Sequence, residues 1–106
     1  YGLESKDNDC GGIYGIAAPM VNACRPPEQW QSYDIIFRAP KFDDKGEMTS
    51  RARMTVLHNG VLIHENVEIP GPTTAGTLGD PKSLGPVMLQ DHGNAVRYRN
   101  IWIRPL

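Results

Sequence analysis

One stretch limits the folds open to this chain more than any other: RARMTVLHNGVLIHENVEIP, residues 51–70. Two runs of alternating apolar and polar residues flank Asn59-Gly60, the dipeptide favoured at the two central positions of a type I′ turn. Successive side chains of a strand point to opposite faces. One face of the first run therefore carries Met54, Val56 and His58, and the other face carries Arg53, Thr55 and Leu57. The stretch predicts an antiparallel β-hairpin.

Further strands are predicted where aromatic and β-branched residues lie between turn residues. They cover residues 12–19, 30–40, 86–92 and 95–105, and loops are predicted at 1–12, 20–29, 41–50 and 71–85. The chain contains 11 glycines and 9 prolines, which favours many turns and short strands. No segment repeats its apolar residues with a helical period. The sequence therefore predicts an all-β domain of sandwich or barrel type.

Three of the predicted strands are apolar on both faces at their centres. The runs are Ile35-Ile36-Phe37, Val87-Met88-Leu89 and Ile101-Trp102-Ile103. Strands of this kind usually lie inside a larger sheet, because a two-layer core needs both of its inner faces covered. We therefore expect this chain to be part of a bigger layered structure.

The composition argues against two kinds of partner. The formal net charge is −1, which gives no basic surface for nucleic acid. No apolar run approaches the roughly 20 residues needed to span a bilayer. We expect neither a nucleic-acid partner nor a membrane partner. With 106 residues, the chain is one domain at most.

The two cysteines, Cys10 and Cys24, stand 14 positions apart in predicted loops. A disulfide between them would close a short loop, contribute roughly 3 kcal/mol in the chain-entropy model and imply an oxidising compartment. The alternative is a pair of buried, unpaired thiols. The prediction is the disulfide.

Several longer strings are specific to one family. They are DCGGIYG…PMVNACRPPEQWQSYDIIFRAPKFD, VLHNGVLIHENVEIPGPT and GPVMLQDHGNAVRYRNIWIRPL. Together they closely resemble the C-terminal half of the domain of unknown function 1080 family, also called the 3-keto-disaccharide hydrolase domain. The resemblance covers essentially the whole chain, and no generic β-sandwich requires these strings.

The resemblance implies a concanavalin-like jelly roll of two curved antiparallel sheets. Family members are mostly secreted or periplasmic bacterial proteins, and some act on 3-keto-sugars as hydrolases or as lyases and hydratases. Family domains are longer than this chain. We therefore expect residues 1–106 to form a single partial domain. The N-terminal strands would come from a companion segment or chain.

Asp91 and His92 are the predicted catalytic residues. In a strand, His92 shares its row with Gln90, which gives a polar stripe suited to the concave side of a sandwich. His92 is a candidate general acid or base, or metal ligand. A short turn at Gly93-Asn94 would place Arg97 near this stripe, and Arg99 lies on the same face as Arg97. In the alternative interpretation Asp91 caps the turn and His92 hydrogen-bonds to the backbone.

The second group of predicted site residues lies in the loop NACRPPEQWQ, which Pro26-Pro27 stiffens. An aromatic ring beside polar side chains suits sugar binding, because aromatic faces pack on pyranose rings. The predicted carbohydrate-binding residues here are Asn22, Arg25, Glu28 and Trp30. The alternative is a structural loop in which Arg25 and Glu28 pair with each other.

His58 and His64 lie across the hairpin turn from each other, and we expect them to be surface histidines, since two histidines without a third ligand make a weak metal site. The sequence thus predicts a carbohydrate-active protein of the 3-keto-glycoside hydrolase or lyase/hydratase type. The cofactor is left open: a divalent cation that polarises the ketone is one candidate, and no ligands are assigned to it. The alternative is a non-catalytic carbohydrate-binding or structural jelly-roll module.

Overall fold

The computed structural model describes residues 4–73 and 85–106. Within these ranges it contains five strands and no helix. The strands are β1 (Tyr33–Arg38), β2 (Lys41–Phe42), β3 (Met48–Ser50), β4 (Ala52–His58) and β5 (Val61–Ile69). They form a three-stranded sheet in the order β1-β4-β5 and a two-stranded sheet of β2 and β3. All of these pairings are antiparallel, which confirms the all-β prediction.

The predicted hairpin is the β4-β5 pair. Asn59 and Gly60 both have positive φ, 51° and 78°, as the two central residues of a type I′ turn require. The face predicted to carry Val56 and His58 is the buried one: their exposed fractions are 5% and 1%. The alternation of the first run therefore grouped Val56 and His58 on one face correctly, although it did not show which face is buried.

The register of β5 against β4 shifts at two places, and one of them is a β-bulge at Ile63. Val56 pairs with His64, and Leu57, the next residue of β4, pairs with Leu62. Ile63 is therefore an extra residue in β5, and such a residue re-aims its neighbours' side chains. As a result, the adjacent residues Ile63 and His64 are both buried, at 0% and 1% exposure.

The core is small and lies where residues 11–20 pack against the β4-β5 hairpin. Its buried apolar side chains are Ile13, Ala52, Val56 and Ile63. The Met20 N–H donates to the Ile63 carbonyl over 2.9 Å, which fixes the loop to β5. This loop carries Cys10 at one end and leads to Cys24 at the other.

The strand predicted over residues 30–40 is confirmed as the shorter β1. Its register places Ile35 opposite Val56 and Phe37 opposite Met54. Every residue of β1 is exposed, although its centre is apolar on both faces. Among the described strands β1 pairs with β4 alone, so its second edge and much of its apolar surface face outward.

The loop predicted over residues 41–50 is wrong in part, because it contains the short β2-β3 hairpin. Asp43 explains the turn. Its carboxylate Oδ1 accepts the N–H groups of Lys45 and Glu47 over 2.9 Å and 2.8 Å, and its carbonyl accepts the Gly46 N–H. A side chain that satisfies its own turn in this way lets a charged segment form a tight hairpin.

The remaining predicted strands are wrong. Residues 12–19 form turns and a single bridge between Ile13 and Ala17, because short-range bonds such as Ile16 N–H to Ile13 O satisfy the backbone. Residues 85–106 contain no strand. A strand exists only with a hydrogen-bonded neighbour, and no described strand pairs with these residues. Val87 and Trp102 are accordingly 68% and 89% exposed.

Most of the loop predicted at residues 71–85 lies outside the described residues. No helix that could cross a bilayer occurs in residues 4–73 and 85–106.

Candidate functional site

Three side chains from distant parts of the sequence meet beside the hairpin turn. Cys10, Cys24 and His58 each offer one donor atom, and the three atoms lie within 4.8 Å of one another. We call this group the thiol–imidazole cluster. Two of its members, Cys10 and Cys24, lie in loops, and the third ends β4.

The predicted disulfide between Cys10 and Cys24 is not confirmed. Both cysteines are free thiols, and their Sγ atoms lie 3.0 Å apart. A disulfide bond is about 2.05 Å long, so the two sulfurs are in hydrogen-bonding contact without a covalent bond. The alternative of two unpaired thiols describes the structure better, although Cys10 is exposed and Cys24 is only half-buried.

Hydrogen bonds to Gln31 fix the tautomer of His58. The Oε1 atom of Gln31 accepts the backbone N–H of Arg25 over 3.0 Å and lies 2.8 Å from His58 Nε2. Because this oxygen only accepts, Nε2 carries the proton. The lone pair of a neutral His58 ring is therefore on Nδ1. That atom faces Gly11, since a Cβ added to Gly11 would lie 3.7 Å from it.

The aromatic side chain of Tyr33 covers the cluster. Its ring lies parallel to the His58 ring, with centroids 4.3 Å apart and 7° between the planes. Its hydroxyl lies 3.6 Å from Cys10 Sγ. Tyr33 is 48% exposed, so the cluster has one wall formed by an aromatic side chain that also contacts solvent.

Three side chains at this place, His58, Cys10 and Tyr33, have their pKa values shifted toward the neutral form. Burial, and to a lesser extent the charge of Arg25, lower the pKa of His58. Partial desolvation raises the pKa of Cys10, although this residue reaches the surface, and its hydrogen bond with Cys24 acts in the same direction. Desolvation and the contact with Cys10 raise the pKa of Tyr33.

The second histidine of the hairpin holds the cysteine-bearing loop in place. His64 Nε2 lies 2.6 Å from the carbonyl oxygen of Gly11, and because a carbonyl only accepts, the imidazole donates. The expectation that His58 and His64 are surface residues is therefore wrong, since both are 1% exposed. The position of His58 on the Val56 face was a signal in the sequence that it is buried.

Two of the predicted residues of the sugar-binding loop, Arg25 and Trp30, contact each other. The guanidinium of Arg25 donates from Nη1 to the Trp30 carbonyl over 3.0 Å. The guanidinium carbon of Arg99 lies 3.8 Å from the Trp30 ring centroid, the geometry of a cation–π contact. Glu28 has a positive φ of 64° and is exposed. Asn22 has a local structural role, because its Oδ1 accepts the Cys24 N–H over 3.0 Å.

The turn near the C-terminus forms a small cavity of about 300 Å³. It is lined by Leu89, Gln90, Asp91, Asn94, Ala95, Val96 and Tyr98. Two hydrogen bonds shape it: the Gly93 N–H donates to Asp91 Oδ1 over 3.0 Å, and the Tyr98 hydroxyl donates to the Gln90 carbonyl over 2.7 Å. Asp91 therefore caps the turn, as in the alternative interpretation of this residue.

The structure places some of the predicted catalytic and substrate-binding residues outside the lining of this cavity. Gln90 and Asp91 line it, whereas His92 and Arg97 are exposed residues outside its lining. The proposed chemical roles of all of these residues remain predictions. The Trp30–Arg99 contact joins the two predicted groups, because it links the loop at residues 22–31 to the C-terminal segment.

Comparison with known proteins gives two matches. The sequence model of the 3-keto-alpha-glucoside-1,2-lyase-like domain matches residues 2–104. No curated protein matches the chain. A crystal structure of a "putative glycosyl hydrolase" from Parabacteroides distasonis ATCC 8503 is 34% identical, with a TM-score of 0.62.

The chain and this solved structure differ in extent. The match covers 74% of this chain and 34% of the other, so the chain spans about a third of its solved neighbour. The shared fold and the family match confirm the predicted fold class.

Proposed function

Because this chain belongs to the 3-keto-alpha-glucoside-1,2-lyase-like domain family, we propose that it forms part of a carbohydrate-active enzyme that cleaves 3-keto-glycosides. The observation that carries the proposal is the match of the family over residues 2–104. The name of the solved neighbour also refers to cleavage of glycosides.

The proposed reaction begins with an elimination. A ketone at C3 of the sugar acidifies the C–H bond at C2, so a general base can remove that proton. The electrons of the C2–H bond form a C1=C2 double bond, and the bond from C1 to the aglycone oxygen breaks. The aglycone leaves with a proton. In a hydratase step, water then adds across the double bond, and the sum of the two steps is hydrolysis.

We propose His92 as the base, with Asp91 and Gln90 beside it. The exposed position of His92 supports this role, since a base must reach the substrate. Gln90 and Asp91 line the cavity at the C-terminal turn, and their oxygen and nitrogen atoms suit sugar hydroxyls. The separation of His92 from that cavity means that the substrate would bind across the turn.

The proposed substrate-binding surface also includes Trp30, Arg99, Arg25, Arg97, Asn22 and Glu28. The indole of Trp30 is 44% exposed and can pack on a pyranose ring. The guanidinium of Arg99 beside it can donate to hydroxyl or ketone oxygens. The two residues together offer an apolar face with an adjacent donor, a combination typical of sugar sites.

We further propose that a companion segment or chain completes the sandwich. The exposed apolar residues of β1 support this, because Ile35 and Phe37 are 58% and 48% exposed. Apolar surface of this extent is normally covered. A secreted or periplasmic location of the protein is likewise a proposal that the family resemblance supports.

The first test is release of the aglycone from an aryl 3-keto-glucoside, measured for the protein and for two variants of Asp91. Asp91→Asn keeps an oxygen that can accept the Gly93 N–H, but it removes the charge. Asp91→Ala removes both. If Asp91 acts only as a cap, Asp91→Asn keeps full activity, whereas a chemical role predicts a loss of about 100-fold or more in both variants.

The second test is His92→Ala, with Arg104→Ala as the control for a charged residue outside the proposed site. We expect His92→Ala to lower kcat by about 100- to 10,000-fold, while Arg104→Ala keeps the activity of the parent protein. Glycan binding without turnover of any 3-keto-glycoside would favour the binding module instead.

A further inference from the structure

We propose that Cys10, Cys24 and His58 form a binding site for one thiophilic divalent cation, with Zn²⁺ as the best-matched ion. The site is built from different residues than the proposed carbohydrate site. Its evidence is the convergence of three soft donors from separate loops and a strand, within 4.8 Å of one another.

The spacing of the donors fits a single ion. Zn²⁺ binds thiolate sulfur at about 2.3 Å and imidazole nitrogen at about 2.0–2.1 Å, so donors on a tetrahedral ion lie roughly 3.5–3.8 Å apart. The Sγ atoms of Cys10 and Cys24, now 3.0 Å apart, would have to separate by roughly 0.8 Å to reach that spacing. Both side chains lie at or near the surface, where such a rotation meets little resistance.

The imidazole is already oriented as a ligand. A metal-binding histidine usually donates its other ring N–H to an oxygen, which fixes the ring and its tautomer. His58 Nε2 donates in this way to Gln31 Oε1 over 2.8 Å, and Asn59 Nδ2 donates to the same oxygen over 3.2 Å. The lone pair of Nδ1 is thus left for a metal. The cluster has the outer hydrogen bonds of a metal site as well as the ligands.

The loop that carries Cys10 is held at its place beside the ring. His64 fixes the Gly11 carbonyl. Gly12 permits a close approach within the loop, because an added Cβ would lie 2.2 Å from the Asp7 carbonyl oxygen. The hydroxyl of Tyr33, 3.6 Å from Cys10 Sγ, can donate to a thiolate. Because these contacts already hold the loop, less conformational entropy is lost when Cys10 binds a metal ion.

The charges of the ligands match those of a divalent ion when the protons released on binding are counted. Binding converts two thiols to thiolates and releases two protons, and the two negative charges with a neutral imidazole match the charge of Zn²⁺. Three protein ligands leave a fourth tetrahedral position for water or another donor.

The test uses the reduced protein, titrated with Zn²⁺ in competition with a chromogenic chelator. We expect one equivalent of Zn²⁺ per chain. Substitution with Co²⁺ should give a thiolate-to-metal charge-transfer band together with the visible bands of a tetrahedral site. Cys10→Ser should abolish the charge-transfer contribution of its sulfur and weaken binding by about 100-fold or more.

A second variant tests the orientation of the imidazole without removing a ligand. Gln31→Met preserves the side-chain volume but removes the oxygen that His58 contacts, and loss of such an outer contact typically weakens binding 10- to 100-fold. Gln29→Met is the matched control, because it makes the same substitution at an exposed glutamine outside the cluster and should leave the Zn²⁺ affinity unchanged. Circular dichroism of each variant checks that the fold is retained.

Three results would overturn the proposal. They are no stoichiometric Zn²⁺ binding by the reduced protein, equal affinity in Cys10→Ser, and an intact mass that shows the two cysteines joined to each other in the native protein. All three readouts are independent of the turnover of 3-keto-glycosides, so the metal site and the proposed enzyme function can fail separately.

Discussion

The contact between His64 and Gly11 can be tested with two substitutions of the same residue. His64 is 1% exposed, and its Nε2 donates to the Gly11 carbonyl over 2.6 Å. His64→Leu removes the donor and keeps an apolar side chain in the space. His64→Gln keeps a donor, because the amide nitrogen of glutamine can lie close to the position of Nε2.

The expected magnitudes follow from the acceptor, which is half-buried. In His64→Leu the carbonyl of Gly11 loses its partner, which typically costs about 1–3 kcal/mol. In His64→Gln the bond can form again, so we expect the free energy of unfolding to fall by less than about 1 kcal/mol. The difference in free energy of unfolding between the two variants measures the contribution of the hydrogen bond, since both variants lose the packing of the imidazole ring.

Urea unfolding followed by tryptophan fluorescence is the assay. With a denaturant slope of about 1–3 kcal/mol per molar, a loss of 2 kcal/mol lowers the midpoint by about 0.7–2 M. The slope itself should not change. Equal midpoints for the two variants would refute the reasoning, because they would mean that the hydrogen bond adds nothing to the packing of this side chain.

Three further outcomes are expected. With metal removed by a chelator, the protein should be less stable to urea at about pH 5 than at about pH 7. Because the pKa of His58 is lowered in the folded protein, the unfolded chain takes up a proton first as the pH falls below about 6.5, and stability is lost there. A His58→Gln variant should lack this part of the pH dependence. Gly60→Ala should lower the free energy of unfolding by about 1–2 kcal/mol through its positive φ alone, since no atom lies within 4 Å of the added Cβ; an unchanged urea midpoint would contradict this. Arg99→Ala should cost about 0.5–1 kcal/mol by removing the cation–π contact with Trp30, and Arg104→Ala, as control, should leave the midpoint within error.

The part of the fold that could be predicted from sequence is the part that local rules determine. The β4-β5 hairpin follows from alternation and from the Asn59-Gly60 dipeptide, and neither depends on distant residues. The strand at residues 33–38 follows from a run of aromatic and β-branched residues. The turn at Asp43 was missed because a charged segment was taken as a loop, although its carboxylate satisfies a tight turn.

The errors arise where structure depends on partners remote in sequence. Residues 86–92 and 95–105 have the composition of strands, but composition does not supply a neighbouring strand. The bulge at Ile63 has no signal in the alternation of β5, and with it the burial of His64 was missed.

The thiol–imidazole cluster could not be assembled from spacing. Cys10, Cys24 and His58 are separated by 14 and 34 positions, and they meet only because the loop at residues 11–20 packs on the hairpin. The residues predicted around the C-terminal turn were placed by local rules, and the structure brings Gln90 and Asp91 to one cavity. It leaves His92 outside, because that grouping assumed a strand.

The extra residue at the Ile63 bulge makes the hairpin tolerant of a change in chain length at that position. If Ile63 were deleted, Leu62 and His64 would become consecutive, as their partners Leu57 and Val56 already are, and the ladder could close without shifting the pairs on either side. The loop that carries Cys10 would nevertheless lose its contact with the Ile63 side chain, which lies next to Gly11. Such a shortened chain would keep its turn and its outer end but lose the contacts that Ile63 makes with the loop between the two cysteines.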